Sequence, residues 1–180
     1  MVYCFLADGF EEVEAIAPID MLRRADVKVV TVGVTGKTAT GAHNIPVTAD
    51  INIDEVKLDS SLEAIILPGG MPGALNLENS AEVQKAIDFA AENDKLVCAI
   101  CAAPQILGHK GLLEGKEAIA YPGFEKELKG AVISEKYVVC DGKFITARGA
   151  GVATQFGLEI VSQLKGCEKA EEIRKQIQSV

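Results

Sequence analysis

The chain has 180 residues, of which 48% are hydrophobic, and a formal net charge of −8. This composition predicts a globular protein with one domain spanning residues 1–180. The acidic balance argues against nucleic acid and anionic membrane surfaces as partners, because both require clustered Lys and Arg. The sequence shows no leader-like N-terminus and no apolar run of ~20 residues, so we expect a cytoplasmic protein.

Strand-like and helix-like segments alternate along the chain. Four apolar, β-rich runs predict strands at 2–7, 27–34, 63–70 and 95–100. Amphipathic spacing predicts helices at 9–25, 80–94, 102–113, 151–166 and 167–178. An irregular hairpin is expected at 36–51, and short strands at 117–121, 131–142 and 143–148. Pro18 should kink or split the first helix, and Ser80 is a suitable N-cap for the second.

The alternation predicts an α/β fold with a mostly parallel sheet and helices on both faces. Ligands of such sheets bind beyond the carboxyl ends of the strands. Three of these ends are chemically distinctive: "ADGFEEVE" at 7–14, "LPGGMPG" at 67–73 and "CAICAAP" at 98–104. We therefore expect the functional residues among these three segments.

Cys98 and Cys101 in "KLVCAICAAPQILG" allow three interpretations. A redox pair is disfavoured because Cys98 falls inside a predicted strand, whereas both cysteines of such a pair open a helix. A zinc site is disfavoured because the other cysteines and the two histidines offer no second ligand pair, so no metal is predicted. The third interpretation is a nucleophile elbow, in which Cys101 lies on a crowded turn between strand and helix. A buried, inert thiol remains the plain alternative.

Two neighbouring segments offer partners for such a thiol. Gly69 and Gly70 could direct N–H groups at one point as an oxyanion hole, or could form an ordinary glycine turn. Glu14, flanked by Val13 and Ala15, could face inward, or could be a surface acid at a helix start. The pattern alone leaves both alternatives open.

The segments "AICAAPQIL", "LPGG", "FEEVEAIAPIDMLRRA", "TGAHNIPVTAD" and "TARGAGVATQFGLEIV" together resemble the ThiJ/PfpI superfamily, within the class I glutamine amidotransferase-like fold, and most of all its DJ-one branch. The resemblance covers nearly the whole chain. It implies a flavodoxin-like three-layer sandwich, a homodimer and a reactive cysteine at the elbow. By motif, that cysteine is Cys101, the acid that bonds its sulfur is Glu14, and the backbone donors are Gly69, Gly70 and Ala102.

The implied pair predicts opposite pKa shifts. Two anions in a desolvated pocket repel, so a protonated Glu14 that donates to a thiolate predicts a raised pKa for the acid and a lowered pKa for Cys101. Many members of the superfamily carry a histidine where "AIAYPGF" places Tyr121, and a phenol is a poor base near neutral pH. Tyr121 is thus a candidate substrate contact, as is His43, which the resemblance places near the dimer interface. Arg148 is expected to make structural contacts.

The resemblance implies an enzyme in which the Cys101 thiolate adds to a small dicarbonyl such as methylglyoxal, or to an early glycation adduct, without metal or cofactor. The main alternative is an oxidative-stress sensor or redox-regulated chaperone that works through oxidation of Cys101. A peptidase or amidase is disfavoured because Tyr121 replaces the histidine. A flavodoxin-like binding module is disfavoured because no phosphate-binding glycine loop follows the first strand.

Overall fold

A central sheet of seven strands organises the computed structural model, which describes residues 1–179. In chain order the strands are β1 (Val2–Leu6), β2 (Val29–Gly33), β3 (Thr38–Thr40), β4 (Pro46–Thr48), β5 (Ile51–Asn52), β6 (Ala64–Leu67), β7 (Leu96–Ile100), β8 (Glu117–Ala118), β9 (Val132–Ile133), β10 (Val138–Asp141) and β11 (Phe144–Ala147). The main sheet has the order β10-β11-β7-β6-β1-β2-β5. All its pairings are parallel except β10 with β11.

Six α-helices cover the two faces of this sheet. They are α1 (Glu12–Arg24), α2 (Gly73–Glu78), α3 (Ala81–Glu92), α4 (Pro104–His109), α5 (Ala153–Lys165) and α6 (Cys167–Gln176). Alternate strand residues enter two separate cores, as the pleat requires. Leu6 and Ile66 pack with α1, α5 and α6, whereas Phe5 and Ile65 pack with α2, α3 and α4. The predicted three-layer, flavodoxin-like α/β fold is confirmed.

The predicted elements differ from the structure mainly in length. Pro18 lies inside α1 without splitting it. At this point α1 packs closely along α5, where a Cβ on Gly157 would come 2.8 Å from the Cα of Pro18. Ser80 caps α3 by accepting from the Val83 N–H at 3.3 Å. The elbow helix α4 is much shorter than the predicted 102–113, since turns occupy both its flanks. The prediction missed β5 and α2, which are too short to show a period.

The strand order places four loops around one point. From β1 the chain passes through α1 to β2 on one side, while β6 pairs with the other side of β1. This reversal is the switch point at which parallel sheets of this kind bind ligands. The segments that follow β1, β6, β7 and β11 meet there. Among residues 1–179, no helix combines the length and the apolar content needed to cross a membrane.

Candidate active site

Cys101 occupies a strained turn directly after β7. Its φ of 65° lies in the left-handed region, which costs a residue with a side chain about 1–2 kcal/mol. Two backbone hydrogen bonds hold the turn: the Cys101 N–H donates to the Ala147 oxygen at 2.9 Å, and the Tyr121 N–H donates to the Cys101 oxygen at 2.8 Å. Such strain persists where the surrounding structure over-determines it, which is typical of functional sites. The strand, strained turn and helix that the elbow prediction requires are therefore present at Cys101.

Backbone N–H groups approach the sulfur of Cys101 from two loops. The N–H of Gly70, after β6, and the N–H of Ala102, in the elbow itself, face the sulfur, and both lower the pKa of its thiol because they stabilise negative charge on it. Gly70 has a φ of 87°, and a Cβ there would lie 2.5 Å from the backbone nitrogen of Glu11. Only glycine fits this close approach, so the "LPGG" motif is explained by backbone geometry.

Glu14 reaches the same point from the first turn of α1. The side chain is 1% exposed, and burial raises the pKa of its carboxyl to about 7, partly offset by hydrogen bonds from Cys101 and the Gly69 N–H. Its Oε2 accepts from the Gly69 N–H at 3.0 Å. Within residues 1–179, its Oε1 has no hydrogen-bond partner of normal geometry. A buried carboxyl oxygen without a partner is uncommon and calls for a chemical explanation.

Gly69 therefore does not have the role that the sequence predicted. Its N–H is bound to Glu14 and holds the acid rather than an oxyanion at the sulfur. A side chain at Gly69 would come between the thiol and the carboxyl, since a Cβ there would lie 2.6 Å from Glu14 Oε2 and 2.7 Å from the Cβ of Cys101. The absence of a side chain at Gly69 is what lets the thiol and the carboxyl approach each other.

The thiol and the carboxyl form a coupled pair. Burial raises the pKa of Cys101 to about 12, and the charge of Glu14 and the hydrogen bond to it act in the same direction. The N–H donors of Gly70 and Ala102 lower the pKa of Cys101, but by less. The predicted raised pKa of Glu14 is confirmed, whereas the predicted lowered pKa of Cys101 is wrong while Glu14 is ionised. As the pH rises, the Glu14 carboxyl loses its proton first. The negative charge of Glu14 then keeps the thiol proton bound to the sulfur of Cys101.

Tyr121 lies beside this pair but presents its ring to solvent. Half of the residue is exposed, and the ring edge comes 3.3 Å from the position that a Cβ on Gly149 would take. That position is 3.9 Å from Glu14 Oε1, so Gly149 separates the phenol ring from the acid. The side chain is therefore available to a ligand at the mouth of the site.

A cleft of about 500 Å³ opens next to the elbow. Its walls come from the loop after β11 and from two exposed tyrosines: Tyr121, Pro122, Tyr137, Arg148, Gly149, Ala150, Gly151 and Val152. The backbone N–H of Ala150 faces the Glu14 carboxyl and lowers its pKa, which joins the cleft to the acid. The prediction overlooked this wall, although "TARGAG" follows a strand of the parallel sheet and its carboxyl end was the available signal.

His43 lies in the loop between β3 and β4, with its side chain 69% exposed. Its Nδ1 is 2.9 Å from Glu12 Oε2 and 3.4 Å from Glu11 Oε2, and the hydrogen bond to Glu12 raises the pKa of the imidazole. These three groups are also close enough to hold a cation, since their ligand atoms lie within 4.8 Å of one another. Their mutual ion pairs account for the cluster without one.

The family profile described as DJ-1/PfpI matches residues 1–163. The chain belongs to the DJ-1/PfpI family. It is 35% identical to "Protein dj-1beta" of Drosophila melanogaster over 173 residues, covering 94% of this chain and 92% of that protein. It is 37% identical to "Protein DJ-1 homolog A" of Arabidopsis thaliana over 172 residues, or 93% of this chain. The match spans only 44% of that plant relative's length, and 39% of homolog B.

Solved structures of the family superimpose closely on this fold. "Toxoplasma gondii DJ-1, oxidized" aligns with a TM-score of 0.93 at 34% identity, covering 98% of this chain and 97% of that one. Drosophila melanogaster DJ-1beta aligns with a TM-score of 0.92 at 33% identity, covering 99% and 97%. The fold resemblance stated from the motifs is thus confirmed over the full length of these neighbours.

Proposed function

We propose that this DJ-1/PfpI protein is a cysteine-dependent enzyme that converts small reactive dicarbonyls to hydroxy acids without glutathione, metal or cofactor. The observation that carries the proposal is the buried Glu14 carboxyl, which titrates near pH 7 beside the Cys101 thiol and leaves Oε1 unbonded. A group of this kind can accept and return a proton at neutral pH, which is what the chemistry of an α-oxoaldehyde requires.

The first step joins sulfur to the aldehyde carbon. Because the pKa of the Cys101 thiol is about 12, free thiolate is scarce, and the Glu14 carboxylate takes the thiol proton as the C–S bond forms. The carbonyl π pair moves onto oxygen, where the N–H groups of Gly70 and Ala102 stabilise the charge before Glu14 returns the proton. The product is a thiohemiacetal on Cys101.

The second step moves one proton between neighbouring carbons. The Glu14 carboxylate removes the hydrogen on the former aldehyde carbon, and the electron pair passes into the adjacent ketone as an enediolate. Glu14 returns this proton to the ketone carbon, and the hydroxyl proton of the former aldehyde carbon passes to the ketone oxygen, which leaves a thioester of the hydroxy acid. The aldehyde carbon is oxidised and the ketone carbon reduced, so no external redox partner is needed. Water then cleaves the thioester and restores the thiol, giving lactate from methylglyoxal.

Lactate formation from methylglyoxal in the absence of glutathione tests this proposal. Wild type should turn over, and Cys101→Ala should lose all turnover. Cys167→Ala, which removes an exposed thiol on α6, is the matched control and should behave like wild type. Absence of lactate with folded wild-type protein would contradict the proposal. We place the enzyme in the cytoplasm, where its reduced thiols would be maintained.

A redox-sensing role is the second candidate, because a neighbour at 34% identity is described as oxidized. Cys101 is partly exposed, and its N–H donors could hold a sulfinate as well as an oxyanion. The high pKa of the thiol disfavours this role, since oxidants attack the thiolate. Mass spectrometry after equimolar peroxide distinguishes the candidates: a sensor would show rapid, selective oxidation of Cys101 and no dicarbonyl turnover.

We also propose that the protein forms a homodimer through α1 and the β3–β4 hairpin. Three apolar side chains, Val13, Ile16 and Ile45, are about half exposed there, and the Ile45 N–H bonds Glu12 on α1. Sedimentation should give a dimer for wild type and a monomer for Ile16→Glu. Val132→Glu, at an equally exposed apolar residue on β9, should remain dimeric; a monomeric wild type would exclude the interface.

A further inference from the structure

We propose that Arg148, with the rings of Tyr121 and Tyr137, forms an anion-binding subsite that selects dicarbonyls carrying a carboxylate a few carbons from the reacting aldehyde. This inference rests on the proposed function, because it names the substrate class of the same thiol. It concerns residues that hold the substrate and do not take part in the proton transfers.

The strand register sets the spacing between the thiol and the guanidinium. Ala147 pairs with Ile100 and with Val138, so the next residues along these three strands, Cys101, Arg148 and Tyr137, lie side by side at one edge of the sheet. The backbone N–H of Arg148 donates to the backbone carbonyl oxygen of Tyr137 at 2.9 Å, which fixes this arrangement. Neighbouring strands are ~4.8 Å apart, so the backbones of Cys101 and Tyr137 lie roughly 10 Å apart, with Arg148 between them.

The charge of Arg148 has no counter-ion. None of the residues 1–179 forms a salt bridge with its guanidinium, which instead lies over the Tyr137 ring at 5.5 Å from the centroid. This contrasts with the two arginines of α1, Arg23 and Arg24, which pair with Asp50 and Asp20. In a chain with a net charge of −8, an unpaired arginine on a cleft wall is a specific feature. A planar guanidinium presents a fork of N–H donors that matches a carboxylate.

The rest of the cleft suits a short carbon chain ending in that carboxylate. The rings of Tyr121 and Tyr137 are 50% and 60% exposed and offer apolar walls with hydroxyl tips. The loop from Gly149 to Val152 forms the floor and leads to Glu14 through the Ala150 N–H. Methylglyoxal, with three carbons and no charge, would fill only a small part of about 500 Å³. A longer anionic dicarbonyl would occupy the thiol and the guanidinium together.

A pair of isosteric substrates isolates the charge. We would compare 4,5-dioxopentanoate with its uncharged amide, measuring kcat/KM for wild type, Arg148→Gln and Arg148→Lys. We expect Arg148→Gln to lower kcat/KM for the anion about 10- to 100-fold, mainly through KM, as loss of a charge-assisted hydrogen bond implies. The amide should change less than about twofold, and Arg148→Lys should restore part of the loss. Arg174→Gln on α6 makes the same charge change elsewhere and should have no effect.

A binding measurement separates this inference from the proposed function. The chain has no Trp and three Tyr, two of which line the cleft, so tyrosine fluorescence reports on occupancy. Titration with 4-oxopentanoate, which lacks the aldehyde, should saturate for wild type and weaken at least tenfold for Arg148→Gln. If this holds while no dicarbonyl is turned over, the reaction is wrong and the subsite stands. If turnover occurs, and wild type and Arg148→Gln show the same preference for the anion over the amide, the subsite is refuted and the proposed reaction stands.

Discussion

Replacing Glu14 with glutamine should make the protein more stable at alkaline pH. In the folded state burial raises the pKa of this carboxyl from 4.5 to about 7, so the folded protein keeps a proton that the unfolded chain releases. Ionising the buried acid therefore destabilises the fold as pH rises through this range, and fully so above pH 7. Glutamine preserves the shape and an acceptor for the Gly69 N–H but carries no charge.

The magnitude follows from the two pKa values. Each unit of pKa difference between the folded and unfolded states corresponds to ~1.36 kcal/mol. The free energy of unfolding of Glu14→Gln should therefore exceed that of wild type by about 3 kcal/mol near pH 8. Near pH 5.5 only about 1.4 kcal/mol of this remains, so the advantage should fall by roughly 2 kcal/mol between the two conditions. For a chain of this length the gain corresponds to a rise in Tm of about 6–12 °C near pH 8.

Urea unfolding followed by circular dichroism, at equal protein concentration, measures this difference directly. The lower pH avoids the isoelectric point of about 4.8, where proteins tend to associate. Glu12→Gln is the control with opposite sign: burial alone would raise the pKa of Glu12, but hydrogen bonds from His43 and Ile45 lower it. That variant should be less stable than wild type at both pH values, because both lie above 4.5, the ordinary pKa above which the ionised Glu12 stabilises the fold. An advantage of Glu14→Gln that does not change with pH would refute the burial argument.

Four further predictions concern Glu14, Cys101, Gly69 and His43. Because Glu14 must be ionised to act as the base, kcat/KM for methylglyoxal should rise with pH through about 7 and then level off; a flat profile would exclude this carboxyl as the base. Glu14→Gln should also lower the pKa of the Cys101 thiol by removing the neighbouring charge, seen as faster alkylation by iodoacetamide at pH 8; an unchanged rate would show that the two groups are uncoupled. Gly69→Ala should destabilise the protein by about 1–3 kcal/mol and nearly abolish turnover, since its Cβ would lie between the two groups. His43→Ala should keep wild-type turnover, because its ring is bound to acids on α1; a large loss would indicate that it reaches a partner's site in trans.

The sequence by itself determined the architecture and indicated the candidate residues of the site. Apolar runs of strand length alternating with amphipathic helices can be buried only as a parallel sheet covered on both faces, and that is the fold observed. The small residues around Cys101 indicated the elbow, and the consecutive glycines indicated a close backbone approach. These are local properties of the chain, so they can be read without knowledge of distant contacts.

Tertiary structure decided how the groups act on one another. A sequence does not show which acceptor an N–H faces, so only the structure shows Gly69 bound to Glu14 and Gly70 facing the sulfur. Burial and the distance between charges set the pKa values, and they raised that of Cys101 where two N–H donors alone would have lowered it. The cleft beside Arg148 joins segments more than ten residues apart along the chain. Within residues 1–179 no acid pairs with Arg148, and a local pattern of residues does not encode which side chains lie near it in space.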